Sequence, residues 1–162
     1  MARVYVSVGS NIDKSNNIRS ALTSLRERFS PLTISPVYQS KAVGFDGEDF
    51  YNLAVGFDAD LSPQTIVTLL HGIEARHGRE RHDKRFDSRT LDIDLLLYDD
   101  LVLNQGEIEL PRAEIAQYAH VLKPLSDIAG ERRHPVLGAS FEELWQRLAR
   151  HAPPLSTVEE IF

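Results

Sequence analysis

The chain contains no cysteine. Disulfides, thiol nucleophiles and cysteine-ligated zinc are therefore excluded. No apolar run approaches the ~20 residues needed to cross a bilayer. The N-terminus also lacks the charged-then-apolar pattern of a signal peptide. Together these lead us to expect a cytoplasmic protein with no membrane partner. Positive charge is in deficit: 18 Lys and Arg stand against 24 Asp and Glu, for a net −6. That balance argues against nucleic acid as a partner. Any anionic ligand must then be held by a local basic cluster or by metal. The pattern Gly-x-x-x-x-Gly-Lys-Ser/Thr is missing as well, which excludes a P-loop nucleotide site. What is present is ordinary: 162 residues, 42% hydrophobic and 26% charged. These values predict a single domain over residues 1–162, with a core that needs no staples.

The most informative stretch is Arg89-Thr90-Leu91-Asp92-Ile93-Asp94-Leu95-Leu96-Leu97-Tyr98. Leu91, Ile93, Leu95 and Leu97 share one parity, as on the buried face of a β-strand. Asp92 and Asp94 share the other, about 6.6 Å apart along the strand and pointing the same way. Two like charges side by side gain nothing in packing. A divalent cation between them accounts for the pair, since Mg²⁺ favours carboxylate oxygen and takes one or two carboxylates beside substrate phosphates. The plain alternative is a half-solvated strand carrying two surface acids.

The remaining elements follow from periodicity and punctuation. Arg3 to Val8 alternates as a first strand, and Ile18, Ala21, Leu22, Leu25 and Phe29 mark a helix that stops at Pro31. Leu32 to Tyr38 predicts a second strand, made an edge or an interrupted strand by Pro36. Ser40 to Asp49 reads as a long connection. Phe50 to Phe57 is a third strand containing Asn52. Ser62-Pro63 starts a second helix, with Gly78 as its expected stop. After the aspartate strand come a hairpin around Gln105-Gly106 and a mixed segment, Pro111 to Pro124, read as a short helix and a loop. Ser140-Phe141-Glu142-Glu143 forms a capping box that opens a last helix through Ala149. The tail from Ala152 is expected to fray, and His134 to lie on the surface. Strand, helix, strand, strand, helix, strand is the βαββαβ order of ferredoxin-like α+β domains, an antiparallel sheet with packed helices, followed here by the hairpin and last helix.

Between Gly78 and Arg89, five of twelve residues are Arg or Lys. A mixed charge run is usually a solvated loop. This one leads straight into the aspartate pair, and arginine forks with carboxylate-held Mg²⁺ are two means of gripping a polyphosphate.

At this point the sequence resembles the 6-hydroxymethyl-7,8-dihydropterin pyrophosphokinase family. The resemblance rests on Arg89-Thr90-Leu91-Asp92-Ile93-Asp94-Leu95-Leu96. It is supported by Val8-Gly9-Ser10-Asn11, Phe50-Tyr51-Asn52, Ile73-Glu74 with Gly78-Arg79, and Val121-Leu122-Lys123-Pro124-Leu125. It implies Mg-dependent transfer of pyrophosphate from ATP to the hydroxymethyl group of a reduced pterin, giving AMP, in folate biosynthesis. It further implies that Asp92 and Asp94 hold two Mg²⁺ ions bridging the phosphates of ATP. Arg79, Arg81 and Arg89 are the implied phosphate contacts, the first two from a closing loop. Asn52 and main-chain groups near Ser40 and Val43 are the implied pterin contacts, with Phe50 stacked on the ring. His71, Glu74 and Leu95 belong to the implied nucleotide side. The alcohol proton leaves to Asp94 or by a metal-bound or solvent route. A monomer is expected.

The departures lie on both sides of the site. Phe86 stands where the family usually has Trp, and Asp87-Ser88 stand where it has Gly-Pro. Arg112-Ala113 follow Pro111 in place of His and Tyr or Pro, so Arg112 is a candidate replacement for lost positive charge. Tyr118 replaces a basic residue. His120 takes the place of the Phe that closes the pterin sandwich. Three other readings are weighed: a relative acting on a related pterin or alcohol, a non-catalytic ferredoxin-like binding module, and a metal-dependent hydrolase. A zinc site on His71-x-x-Glu74-x-x-His77 is disfavoured, because positions i, i+3 and i+6 spread too far around a helix.

Overall fold

A computed structural model describes residues 1–41, 49–77 and 91–159. The first half follows the expected order: β1 (Ala2–Ser10), α1 (Lys14–Phe29), β2 (Thr33–Ile34), β3 (Val37–Ser40), β4 (Phe50–Ala59), α2 (Pro63–Arg76) and β5 (Asp92–Tyr98). A hairpin of β6 (Leu103–Gln105) and β7 (Ile108–Leu110), a 3₁₀ turn (Ala113–Ala116), α3 (Ala119–Ala129), α4 (Phe141–Ala149) and β8 (Ser156–Val158) complete it. The main sheet is ordered β5-β1-β4-β3-β8, with β2 also paired to β4. Every pairing is antiparallel. This is the ferredoxin-like arrangement. The break between β2 and β3 falls at Ser35-Pro36, where proline has no N–H to give. The Ser35 hydroxyl repairs the ladder by accepting from Ala54 N–H at 2.8 Å.

The sheet buries both faces. Val4, Val6, Val8, Leu53, Val55, Phe57, Ile93 and Leu95 pack against α1 and α2, where Phe29 stacks on Phe57 with centroids 4.1 Å apart. Both predicted caps form where they are described. Ser62 Oγ accepts from Thr65 N–H at 3.2 Å, and Ser140 Oγ accepts from Glu143 N–H at 3.1 Å. The expected stop at Gly78 lies outside the described residues. On the other face Tyr5, Ala54, Leu96 and Leu97 pack under α3 and α4, with Phe141 fully buried among them. The Tyr38 hydroxyl donates to Asp127 at 2.5 Å and ties α3 to β3.

Four expectations need correction. Leu97 does not continue the parity of Leu91, Ile93 and Leu95: Tyr5 pairs with Leu97 while Val6 pairs with Leu95, so Leu96 is an extra residue. This β-bulge turns both Leu96 and Leu97 toward α3. The segment read as a short helix and a loop instead runs as helix through Pro124 to Ala129. Its stripe of Val121, Leu122, Leu125 and Ala129 is buried, which outweighs the one backbone bond that proline forfeits. The tail does not simply fray: Ser156–Val158 pairs with β3 and covers its outer edge. His134 is 7% exposed rather than on the surface. Its Nδ1 accepts from the backbone N–H groups of Val136 and Leu137 at 3.2 and 3.1 Å, and its ring lies against Phe141.

Candidate active site

Sheet register builds the site. Gly9 of β1 pairs with Asp92 on one side and with Asn52 on the other. Asn52 pairs in turn with Tyr38. Paired residues in a ladder project to the same face, so Asp92, Gly9, Asn52 and Tyr38 form one row across four strands. The adjoining row is Asp94, Ser7 and Ala54. The two carboxylates therefore share a face with Asn52, about 10 Å away across two strand spacings. Only small side chains stand between them. This face belongs to the α3 side, which carries the apolar cluster of Tyr5, Ala54 and Leu96 farther along the same strands.

Gly9 is needed at its place in the row. A Cβ there would meet Asn52 Oδ1 at 2.9 Å, closer than such contacts occur. The Asn52 amide turns its nitrogen the other way and donates to Ser40 Oγ at 2.8 Å. Ser40 pairs with Phe50, so Ser40, Phe50 and Asn52 gather at the β3–β4 end, all half-buried. Val43 lies outside the described residues.

On the other flank, β5 is the border strand of the sheet, and its free side meets α2 and the β6–β7 hairpin. A cleft here is lined by His71, Leu95, Asp94, Glu107, Ile108 and Arg112, among others. His71 Nε2 lies 3.8 Å from Glu107 Oε2. Glu74 is fully buried. Its Oε2 accepts from Ile93 N–H at 2.8 Å, so this carboxylate holds the strand between the two aspartates. His77 faces elsewhere, with Nδ1 2.7 Å from Ile73 O and Nε2 2.8 Å from Ser20 Oγ. His71, Glu74 and His77 thus point at three different partners, and no group of three metal-ligating side chains forms among the described residues.

Electrostatically the site centres on Asp94. Burial first, and repulsion from Asp92 second, raise its pKa well above the usual carboxylate range. Arg112 opposes this from 3.6 Å, through Nη2. The arginine is itself held by Glu114 Oε1, which accepts from Nε and pairs with Nη2, both at 3.0 Å. His120 stacks on Tyr118 with centroids 5.2 Å apart. Burial lowers its pKa, with Glu114 pulling the other way. Two carboxylates on one strand face, with no third protein ligand beside them among the described residues, suit an oxygen-seeking cation that completes its shell from substrate.

Residues 5–130 match the sequence profile of the 7,8-dihydro-6-hydroxymethylpterin-pyrophosphokinase (HPPK) family. The chain belongs to that family. It is 36% identical over 138 residues to a 2-amino-4-hydroxy-6-hydroxymethyldihydropteridine pyrophosphokinase of Pseudomonas aeruginosa, covering 82% of this chain and 84% of that one. It is 30% identical over 153 residues to the folic acid synthesis protein fol1 of Pneumocystis carinii, spanning 91% of this chain and only 20% of the longer protein. In shape it is similar to Plasmodium falciparum HPPK-DHPS, with a TM-score of 0.72 at 12% identity, over 93% of this chain and 45% of that one. That likeness concerns the fold.

Of the residues singled out from the HPPK resemblance, the structure brings Asp92, Asp94, Asn52, Ser40 and Phe50 onto one sheet face. It sets His71, Leu95 and Arg112 around the neighbouring cleft. Glu74 sits behind β5 rather than in the opening. Arg79, Arg81 and Arg89 lie outside the described residues. Glu114 is the residue that sequence reasoning missed. It stands two positions after Arg112 in a turn whose shape the sequence does not announce, and its spacing carries no motif.

Proposed function

We propose that this HPPK-family chain transfers pyrophosphate from ATP to 6-hydroxymethyl-7,8-dihydropterin, with Asp92 and Asp94 holding two Mg²⁺ ions. The observation that carries the reading is the shared face: Asp92 and Asp94 project to the same side of the sheet as the Asn52 amide, with the side-chain-free Gly9 between Asp92 and Asn52. The ions would supply charge neutralisation along the triphosphate. The residues do the rest by placement. Asn52, oriented by Ser40, hydrogen-bonds the pterin edge. Phe50 and His120 take its faces. Arg79, Arg81, Arg89 and Arg112 spread over the phosphates, and His71 and Leu95 flank the nucleotide base with Glu74 fixing the strand between. The hydroxymethyl oxygen attacks the β-phosphorus and gives up its proton to Asp94 or to solvent, the bond from that phosphorus to the α-bridging oxygen breaks, and AMP departs with the electron pair. Phosphoryl-type transfer needs positioning and charge more than covalent chemistry, so no protein nucleophile is required.

We take a monomer as the working unit, and ATP as co-substrate fits the cytoplasm. The test is an assay with ATP, Mg²⁺ and the reduced pterin. AMP formed only when pterin is present supports the reading. Phosphate release without pterin points to a hydrolase, and no turnover at all points to a binding module.

A further inference from the structure

We infer that Glu114 is a positioning residue that sets Arg112 at the phosphate-facing side of Asp94; the inference rests on the pyrophosphokinase reading. Among the described residues Arg112 forms ion pairs with two carboxylates, and they are unequal. Glu114 Oε1 accepts from Nε and pairs with Nη2, at 3.0 Å each, whereas Asp94 Oδ1 is 3.6 Å from Nη2. The guanidinium is thus hydrogen-bonded to Glu114 and only ion-paired to Asp94. Asp94 is therefore left able to exchange this partner for a cation, while the arginine keeps its place.

The scaffold around the pair is fixed as well. Arg112 N–H donates to Leu96 O at 3.1 Å, tying the segment to β5. Glu109 accepts from Ala113 N–H at 2.8 Å and closes the start of the 3₁₀ turn. Glu114 is the second residue of that turn, which begins at Ala113 with Arg112 at its N-cap. A two-residue offset across the cap brings the carboxylate back onto the guanidinium. The side chains remain partly open, at 27% for Arg112 and 31% for Glu114, so an incoming phosphate reaches the arginine without unfolding anything. An unrestrained arginine would lose several rotamers on capturing a phosphate, and Glu114 removes part of that cost beforehand.

An opposite expectation follows if Glu114 merely adds negative charge. Removing it would then tighten nucleotide binding, because the site must hold a polyanion. Binding of a non-hydrolysable ATP analogue with Mg²⁺ separates the two, measured on Glu114→Ala, Glu114→Gln, Arg112→Ala and the double Arg112→Ala/Glu114→Ala chain. We expect Glu114→Ala to weaken binding about tenfold, in line with a charge-assisted hydrogen bond. Glu114→Gln keeps an acceptor oxygen and should stay within about threefold of the parent. The double variant should match Arg112→Ala alone, since Glu114 has no role without its arginine. Pterin affinity without nucleotide should be unchanged throughout. Tighter or unchanged binding in both Glu114 variants, equal losses for Ala and Gln, additive losses in the double variant, or a matching loss of pterin affinity would each overturn the inference. Pterin-dependent AMP formation by the unmodified chain is scored separately, so a failure of the pyrophosphokinase reading is told apart from a failure of this one.

Discussion

Gly9→Ala is a one-carbon probe of the central row. The new methyl would lie 2.9 Å from Asn52 Oδ1, with Tyr51 O at 3.8 Å and Phe50 Cδ1 at 3.9 Å in ordinary contact. Only the amide has to yield, by roughly 0.5 Å to reach normal van der Waals separation. Asn52 is pinned by its 2.8 Å bond to Ser40, and moving away from Gly9 strains or breaks that bond. The cost is about one neutral hydrogen bond, ~1 kcal/mol. If Asn52 grips the pterin, this appears as about a fivefold weaker Kd for the reduced pterin. Global stability should barely move, because alanine in a strand recovers roughly 0.5–1 kcal/mol over glycine. Calorimetric titration with the reduced pterin, with and without a non-hydrolysable ATP analogue, gives the Kd, and thermal unfolding gives the control. Unchanged pterin affinity at unchanged Tm would refute the reasoning, as would an equal loss in nucleotide affinity.

Asp92→Asn and Asp94→Asn should each cut pterin-dependent AMP formation at least a hundredfold, on the order of a lost metal ligand. Each should leave Tm unchanged or slightly raised, because one of two repelling charges is gone; near-normal turnover with Mg²⁺ would sink the two-ion reading. His120→Phe should keep or tighten pterin binding by about 1 kcal/mol, through larger stacking area, while His120→Ala loosens it; a titration in which Phe is the worse of the two would instead point to a hydrogen bond from His120 to some other substrate. His134 gives a pH signature. Burial lowers its folded-state pKa below the unfolded value of ~6.5, so protons bind more readily to the unfolded chain. Stability should be fully present above pH ~6.5 and decline as pH falls from there through the lowered folded value. Urea unfolding of the parent and His134→Gln across that range should show the parent's slope reduced in the variant.

The parts of the fold that repeat were readable in advance. Alternation in β1 and the i, i+3, i+4 stripe of α1 each state one burial direction many times over, and Ser62-Pro63 and Ser140 to Glu143 mark helix starts with local chemistry. What could not be read depends on single non-repeating events. The bulge at Leu96 reverses the facing of Leu97 and is visible only once β1 is laid alongside. His134 looks like a surface residue between two arginines and proline, because its burial comes from α4 packing and from a turn that folds back onto its own ring nitrogen. β8 is three residues long, and its strand character is supplied by the free edge of β3. Asp92, Asp94 and Asn52 were each identifiable as site residues. That they share a face follows from register, which no single strand encodes. Glu114 needed the turn's geometry to be noticed at all.

Strand direction also decides where this molecule can be held. β1 rises from Ala2, beside Ala59, to Gly9, beside Asp92; the seven intervening steps put its first residue about 23 Å from the chemistry. β8 begins beside Gln39 and descends to Val158 beside Val37, away from Ser40 and Phe50. The two ends do not share a level: Val158, beside Val37, lies one residue step from the row of Tyr38, Asn52 and Gly9, whereas Ala2 lies seven steps from it. A dye, surface tether or carrier attached at Ala2 hangs from the end of the sheet away from the site row and leaves the open face unobstructed, so immobilised protein should titrate substrate as it does in solution.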